Sequence, residues 1–171
     1  MKLLELKEVS KSFGKNRVLE DVNISIEEGD ILGIIGRSGS GKTTLLNLIA
    51  GFLEPSAGEA VHFFKAVGGP ENLYKNLHKI KDRIGYAPQH NSFYPKLTVE
   101  ENLLHFGQLY GLSRETITNN IKGLLEATGL LEHRNKLAEY LSGGMQKRLD
   151  IACSLIHKPK ILVLDEPTAD L

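Results

Sequence analysis

One eight-residue segment constrains this chain more than any other. Residues 36–43 read GRSGSGKT and match the pattern G-x-x-x-x-G-K-[ST]. The segment stands between an apolar run, Ile31–Ile35, and a stretch, Thr43–Ala50, whose leucines and isoleucine recur at helical spacing. Glycines let the backbone curl so that several N–H groups point at one anion, and the following helix adds its positive end. The segment therefore predicts a phosphate-binding loop between a buried strand of a parallel sheet and a helix.

The residue types of this loop suggest individual roles. Lys42 is expected to reach the β- and γ-phosphates of a nucleotide, and the Thr43 hydroxyl to bind Mg²⁺. An ordinary Gly/Ser loop is the alternative, and the flanking strand and helix argue against it. The expected nucleotide-binding residues are Gly36, Arg37, Ser38, Gly39, Ser40, Gly41, Lys42, Thr43 and Thr44.

Two adjacent carboxylates follow a second apolar run. Ile161–Leu164 predicts a short buried strand, and Asp165 and Glu166 come directly after it. Neighbouring side chains at a strand end diverge, so the two need not do the same job. Asp165 is expected to hold the Mg²⁺ shell, and Glu166 to polarise the water that attacks the γ-phosphate. Alone this pattern fits a solvated strand end equally well, but beside the phosphate loop it predicts the magnesium half of a nucleotide site.

A third segment, LSGGMQ at 141–146, opens a predicted helix. Ser142 can cap this helix, and Gly143 and Gly144 leave its first N–H groups uncrowded, so the segment can bind a second anion. One nucleotide cannot easily reach both glycine segments within one small domain. We therefore expect this one to contact the γ-phosphate of ATP bound to a partner subunit. The alternative is a helix start with flexible glycines.

Further elements follow from local patterns. Alternation predicts strands over Lys2–Val9 and Val18–Ile26, and short strands are expected at Ala60–Lys65 and Ile84–Ala87. Two capped helices are also expected, one over Val99–Tyr110 and one from Ser113 through Thr128; Thr98 and Glu101 form a capping box for the first. The helix after Ser142 presents an apolar face made by Met145, Leu149, Cys153 and Ile156.

Composition narrows the class of protein. The 21 Lys and Arg residues balance 21 Asp and Glu residues, which argues against a protein that coats nucleic acid through bulk charge. The single cysteine, Cys153, cannot form an internal disulfide, and no apolar stretch approaches the roughly 20 residues of a membrane-spanning helix. These features are typical of a protein of the reducing cytosol.

Taken in order, the phosphate loop, an isolated glutamine, LSGGMQ and ILVLDEP resemble the nucleotide-binding domain of an ABC transporter. Met145 takes the place where that family most often has glutamine. TVEENLLHFGQLYGL and GGMQKRLDIA are similar to the drug- and polyketide-exporting branch. The resemblance implies a phosphate-loop NTPase with an N-terminal antiparallel β layer, a parallel core sheet and an inserted helical subdomain spanning about residues 91–157.

The resemblance also implies roles for single residues. Phe13 corresponds to the aromatic residue that stacks on adenine, with Val18 also at the nucleotide. Gln89 corresponds to the glutamine that contacts Mg²⁺ and the attacking water. The segment from Gln89 through Leu97 corresponds to the part that meets a membrane subunit. Phe93 and Tyr94 either form an exposed apolar tip there or are tucked into the helical subdomain.

As a whole, the resemblance implies an ATPase that binds ATP and Mg²⁺ between two head-to-tail domains and drives transport, most simply export. The expected partners are a transmembrane permease subunit and a second ATPase domain, not nucleic acid, with the protein peripheral on the cytoplasmic face of the membrane. An ABC-type ATPase that acts on nucleic acid or the ribosome is the alternative. The family also has a γ-phosphate-contacting histidine beyond Glu166, and none of the six histidines lies there. The chain is therefore expected to be the first part of a longer cassette. By itself, this part is expected to bind nucleotide but to hydrolyse it poorly.

Overall fold

The structure is a computed structural model that describes residues 1–75 and 77–167. The chain forms two compact units, Met1–Ile84 and the residues from Gly85 onward. The helical subdomain expected over about residues 91–157 is narrower than the second unit and stays a prediction. Among the described residues, none of the helices has the length and apolar character needed to cross a bilayer.

An antiparallel sheet dominates the first unit. β1 (Lys2–Phe13) and β2 (Asn16–Glu27) form a long hairpin, and β3 (Ala57–His62) and β4 (Glu71–Asn72) extend it in the order β2-β1-β3-β4. Gly14 has φ 60° in the hairpin turn, a conformation that glycine adopts without a steric penalty. The two N-terminal strands predicted from alternation are confirmed, and both are longer than predicted.

Helix α1 (Lys42–Ile49) follows the phosphate loop and buries Leu45, Leu48 and Ile49. Gly51 has φ 81° just after this helix, the left-handed conformation that glycine commonly adopts at a helix C-terminus. The strand predicted at Ala60–Lys65 instead occupies β3, because a turn of 3₁₀-helix begins at Lys65. A short helix α2 (Leu77–Ile80) and a 3₁₀ turn, Lys81–Arg83, complete the unit.

The prediction of a buried strand at Ile31–Ile35 is wrong for the described residues. The segment belongs to no strand or helix, and Ile31 and Ile35 are 100% and 98% exposed. An interior strand of a parallel sheet needs hydrogen-bonding neighbours, and no strand among the described residues pairs with this one. Apolar composition favours burial, but it does not supply the neighbouring strand that would bury this segment.

The second unit combines a small sheet with three helices. β5 (Ile84–Ala87) and β6 (Ile161–Leu164) form the parallel sheet and match their predicted bounds. The helices are α3 (Val99–Leu109), α4 (Arg114–Ala127) and α5 (Gly143–Leu155). Turns of 3₁₀-helix lie at Leu131–His133 and Ala138–Tyr140. The helices enclose an apolar core whose members include Phe93, Val99, Leu103, Ile117, Ile121, Leu125, Leu149, Cys153 and Ile156.

Each of these three helices begins at its predicted cap. Thr98 and Glu101 form a capping box on α3, Ser113 caps α4, and Ser142 caps α5. Side-chain oxygens at these positions accept hydrogen bonds from N–H groups that lack partners within the helix. The caps therefore fix where each helix begins, including the start of α5 at the second glycine segment.

Candidate nucleotide site

The phosphate loop ends at the N-terminus of α1, with glycine at the positions that need it. Gly39 and Gly41 have φ 75° and 94°, and Gly41 is the N-cap of α1 without a side-chain cap. A Cβ on Gly36 would lie 2.6 Å from the Ser40 hydroxyl oxygen, so the loop also folds tightly on itself. The first N–H groups of α1 thus face the loop without a capping side chain, and no acidic residue lies in this first turn. This arrangement can bind an anion.

Lys42 lies folded over its own loop. Its Nζ donates hydrogen bonds to the carbonyl oxygens of Gly36, at 2.9 Å, and Arg37, at 3.0 Å. Thr43 is exposed and Thr44 half-buried on the first turn of α1. The ammonium group is therefore held at the mouth of the loop, where a phosphate would meet a positive charge.

Val18 and Phe13 lie on the hairpin of the same unit. Val18 packs close to the loop, since a Cβ on Gly41 would lie 3.0 Å from its Cγ1. Phe13 ends β1 with half of its surface exposed. The Lys11 ammonium lies 5.3 Å from the centre of the Phe13 ring and also donates to the Glu54 carbonyl at 2.6 Å. One face of the ring is thus held by a cation–π contact, and the ring remains available to a planar base.

Gln89 and Glu166 meet in the second unit. The Gln89 Nε2 donates a hydrogen bond to the Glu166 Oε2 at 2.8 Å, and both residues are exposed. Glu166 has φ 47°, a left-handed conformation that is uncommon for residues other than glycine. Such a backbone costs of order 1–3 kcal/mol, and strained residues of this kind cluster at functional sites.

Asp165 differs from its neighbour in environment. It is 2% exposed, and its N–H donates to the Ala87 carbonyl at 3.0 Å, which continues the β5–β6 pairing by one residue. Burial raises the pKa of the nearby Tyr86, and the Asp165 charge raises it further. The two carboxylates therefore diverge, one buried beside the sheet and one exposed beside Gln89, as the strand-end pattern predicts.

The second glycine segment lies at an exposed helix start. The Ser142 Oγ accepts a hydrogen bond from the Met145 N–H at 3.4 Å, and Ser142 and Gly143 are exposed while Gly144 is half-buried. The first turn of α5 contains no acidic residue that would repel an anion. The apolar face predicted for this helix is confirmed, with Leu149, Cys153 and Ile156 buried and Met145 packed against them.

Phe93 and Tyr94 were expected either to form an exposed apolar tip or to be buried in the helical subdomain, and the two residues differ. Phe93 is 8% exposed and belongs to the apolar core of the second unit, whereas Tyr94 is 48% exposed. The Tyr94 ring makes an edge contact with His105, at 4.6 Å between ring centres, and a tilted one with Phe106. Only Tyr94 of the pair is therefore available to a partner.

Two buried charges of this unit escaped the sequence analysis. Lys147 and Asp150 on α5 are 2% and 1% exposed, and both contact the loop that contains Gln89. In the sequence they belong to a series of polar residues at helical spacing, a pattern that normally indicates a solvent-exposed face of a helix. The series is Lys147, Asp150 and Ser154. Only the packing of α5 reveals that this face is also buried.

The predicted site residues divide between the two units. The phosphate loop, Phe13 and Val18 belong to the first, whereas Gln89, Asp165, Glu166 and residues 142–144 belong to the second. Within the described parts of the chain, no group of three or more His, Cys, Asp or Glu side chains could hold a metal ion.

The sequence of this chain is similar to a family model and to known ATP-binding proteins. A family model described as ABC transporter matches residues 19–169. The linearmycin resistance ATP-binding protein LnrL of Bacillus subtilis is 34% identical over 169 residues, 99% of this chain and 52% of the relative. The bacitracin transport ATP-binding protein BcrA of Bacillus licheniformis is 36% identical over 169 residues, which are again 99% of this chain and 52% of the relative. The chain thus spans about half the length of these two relatives.

Solved structures agree with the sequence comparison. CbiO1 from Clostridium perfringens, described as part of the ABC transporter complex cbiONQ, superimposes with a TM-score of 0.85 at 28% identity. The match covers 99% of this chain and 67% of that one. The phosphate loop, the two carboxylates after β6 and the glycine segment before α5 all fall within the matched residues 19–169. The chain belongs to the ABC transporter family, as an ATP-binding domain with the phosphate-loop NTPase fold.

Proposed function

We propose that this domain binds and hydrolyses ATP to drive transport across a membrane. The observation that carries the proposal is the phosphate loop, where an uncapped helix start, left-handed glycines and Lys42 surround one position for an anion. Backbone N–H groups would hold the phosphates, and Lys42 would neutralise charge on the β- and γ-phosphates. Phe13 and Val18, on the same unit, would receive the adenine base.

The residues present suit a magnesium ion bound together with the nucleotide. The Thr43 hydroxyl, the buried carboxylate of Asp165 and the amide oxygen of Gln89 are oxygen donors of the kind that Mg²⁺ prefers. When bound, the ion would neutralise charge on the phosphates. Since three acidic or imidazole ligands do not come together among the described residues, the nucleotide itself would supply much of the coordination.

Glu166 would act as the general base for hydrolysis. Its carboxylate is exposed to water and fixed by the Gln89 amide at 2.8 Å, so a water molecule beside it could give up a proton during attack. Gln89 would orient the same water through its amide group. Asp165 is 2% exposed and does not present its carboxylate to water as Glu166 does, so the base role falls to Glu166.

The second glycine segment would act on a partner's nucleotide. Ser142, Gly143 and Gly144 open α5 with free N–H groups and no acidic side chain, which suits the γ-phosphate of ATP bound to a second domain. ATP held between two such domains would favour the closed dimer, and hydrolysis would remove the contact that favours it. A permease subunit would convert this change into transport. The names of LnrL and BcrA, a resistance protein and an antibiotic transport protein, favour export.

Two substitutions separate binding from hydrolysis. Lys42→Ala should weaken ATP binding at least about tenfold, equivalent to about 1.4 kcal/mol, because the loop loses the ammonium group at the start of α1. Glu166→Gln should bind ATP normally and lose at least about a hundredfold in turnover, since an amide cannot accept the proton. Fluorescent-nucleotide titration and phosphate release measure the two quantities.

Matched surface variants control for general effects of these changes. Lys7→Ala and Glu132→Gln alter exposed residues away from the proposed site and should leave both quantities unchanged. Normal ATP affinity in Lys42→Ala would contradict the phosphate-loop assignment. Normal turnover in Glu166→Gln would contradict only the assignment of the base.

A further inference from the structure

Helix α5 is buried on two faces, and the second is polar. Beside the apolar face, Lys147, Asp150 and Ser154 recur at helical spacing with 2%, 1% and 5% exposure. This face packs tightly against the start of β5, where a Cβ on Gly85 would lie 2.4 Å from the Ser154 carbonyl oxygen. The loop that follows β5, residues 88–92, contacts the same face. We name this segment the 88–92 loop.

Lys147 holds the first part of the 88–92 loop. Its Nζ donates hydrogen bonds to the Pro88 carbonyl at 2.6 Å and to the Gln89 carbonyl at 3.4 Å. Carbonyl oxygens are the acceptors that a buried ammonium group requires, because an ammonium group without hydrogen bonds would lose several kcal/mol of solvation. The backbone on both sides of the Pro88–Gln89 peptide bond is thereby fixed to α5.

Asp150 holds the other end of the same loop. Its Oδ1 accepts hydrogen bonds from the Ser92 N–H at 2.8 Å and from the Ser92 hydroxyl at 2.6 Å. Burial raises the pKa of this carboxyl group, while the Ser92 hydrogen bonds and the Lys147 charge act in the opposite direction. Two opposite charges, one turn apart on α5, therefore restrain the loop at both ends.

Stability alone does not account for this pair. Replacing a buried ion pair with apolar side chains of similar volume is often neutral or stabilising by 1–4 kcal/mol, because the charges no longer have to leave water. The apolar core of this unit adjoins α5 and could accept such side chains. The buried charges are better explained by what they hold, which is the backbone of Gln89.

We propose that Lys147 is a positioning residue for Gln89, with Asp150 anchoring the far end of the 88–92 loop. By fixing the Gln89 backbone, Lys147 sets the direction of the side chain whose Nε2 reaches the Glu166 Oε2 at 2.8 Å. The inference rests on the proposed function, in which Gln89 and Glu166 act together in ATP hydrolysis. In this role Lys147 acts through the backbone of Pro88 and Gln89.

The test uses the complete ATPase assembled with its membrane partner. Lys147→Met keeps the length of the side chain and removes the hydrogen bonds, and it should lower kcat at least about tenfold while KM for ATP changes less than about twofold. In a Gln89→Ala background the same substitution should change kcat less than about twofold, because the residue through which it acts is gone. Lys147→Arg, which keeps the charge and donors, should recover part of the lost kcat.

Each outcome separates this inference from the proposed function. Lys122→Met, on the exposed side of α4, is the matched control and should behave as wild type. If the wild type hydrolyses ATP and Lys147→Met does so equally fast, the positioning role is wrong and the proposed function stands. If Lys147→Met lowers kcat equally in both backgrounds, its role is structural and the inference fails. If the wild type itself does not hydrolyse ATP, the proposed function fails first.

If Lys147→Met does not fold, a second variant takes its place in the test. Lys147→Gln retains a neutral amide donor of shorter reach and should give an intermediate kcat at unchanged KM. The Gln89 side-chain amide resonances provide a readout independent of turnover. They should shift in both Lys147 variants and remain in place in Lys122→Met, and unshifted resonances would overturn the inference.

Discussion

Asn102 shows how one buried polar residue can shape a loop. It is fully buried, and its side chain makes four hydrogen bonds. Its Oδ1 accepts from the Tyr94 N–H at 2.7 Å, and its Nδ2 donates to the carbonyls of Tyr94, Leu97 and Thr98. A single amide thus closes the turn that presents Tyr94 to solvent.

We predict that Asn102→Ala lowers the free energy of unfolding by about 3 kcal/mol, because several backbone groups lose their partner while still buried. Urea unfolding followed by circular dichroism measures the change. Asn119→Ala, an exposed asparagine on α4, is the control and should change stability by less than about 0.5 kcal/mol. A loss of under 1 kcal/mol in Asn102→Ala would mean that water replaces the lost hydrogen bonds.

At the scale of elements, the capping box at the start of α3 includes a carboxyl group, Glu101, whose pKa the fold lowers. The Thr98 N–H donates to the Glu101 Oε2 at 2.7 Å, and this hydrogen bond, with that of the Thr98 side chain, lowers the pKa of Glu101 below its ordinary value. A carboxyl group with a lowered pKa in the folded state stabilises the protein above its unfolded pKa. That contribution is lost as pH falls through the folded pKa.

We therefore predict that the first turn of α3 frays as pH falls from about 5 to below the lowered pKa of Glu101. The carboxyl carbon shift of Glu101, followed by NMR, gives the pKa directly. Thr98→Ala should raise this pKa only in part, because alanine keeps the backbone N–H that donates to Glu101 and removes only the side-chain hydrogen bond. It should also lower the free energy of unfolding by about 1 kcal/mol at neutral pH, since the helix loses its N-cap oxygen. A Glu101 pKa at its ordinary value in the wild type would contradict the capping box as the cause of the shift.

Sequence reasoning worked best for elements with strong local signals. The caps at Thr98, Ser113 and Ser142 and the strands β5 and β6 were predicted at their observed positions, because each depends on a few neighbouring residues. The bounds of β3 were not, since its end is set by pairing with β1 rather than by composition.

The misses share a physical cause. Asn102, Lys147 and Asp150 are polar, so their sequence pattern indicates a solvated face, yet all three are buried against loop backbone. The opposite holds in the Ile31–Ile35 segment, where the apolar residues Ile31, Leu32 and Ile35 are exposed. In each case the burial of a side chain depends on which distant segment of the chain packs against it. The periodicity of residues within one helix or strand does not say which segment that is.

At the scale of the whole molecule, the exposed run at Ile31–Ile35 should govern how this 171-residue chain behaves in solution. Ile31, Leu32 and Ile35 are all exposed on a segment with no strand partner among the described residues. Exposed apolar segments with unpaired backbone groups promote association between chains. We predict that the chain self-associates at micromolar concentration.

Sedimentation velocity tests this prediction. Ile31→Lys combined with Ile35→Lys should shift the 171-residue chain toward monomer. The control adds the same two charges elsewhere, at the exposed apolar residues Phe52 and Leu109, and should leave the association largely intact. If both double variants become monomeric to the same degree, net charge rather than the exposed run controls association.

The folded-back position of Lys42 has a consequence for the energetics of ligand binding. Because its ammonium group already has two carbonyl partners in the loop, phosphate must displace hydrogen bonds rather than simply capture a free cation. The binding enthalpy measured by calorimetry would then be the gain from the new Lys42–phosphate contacts minus the loss of the Lys42–carbonyl hydrogen bonds. It would therefore be less favourable than the phosphate contacts alone would give. In return the loop is ordered beforehand, so little conformational entropy is lost when the nucleotide arrives.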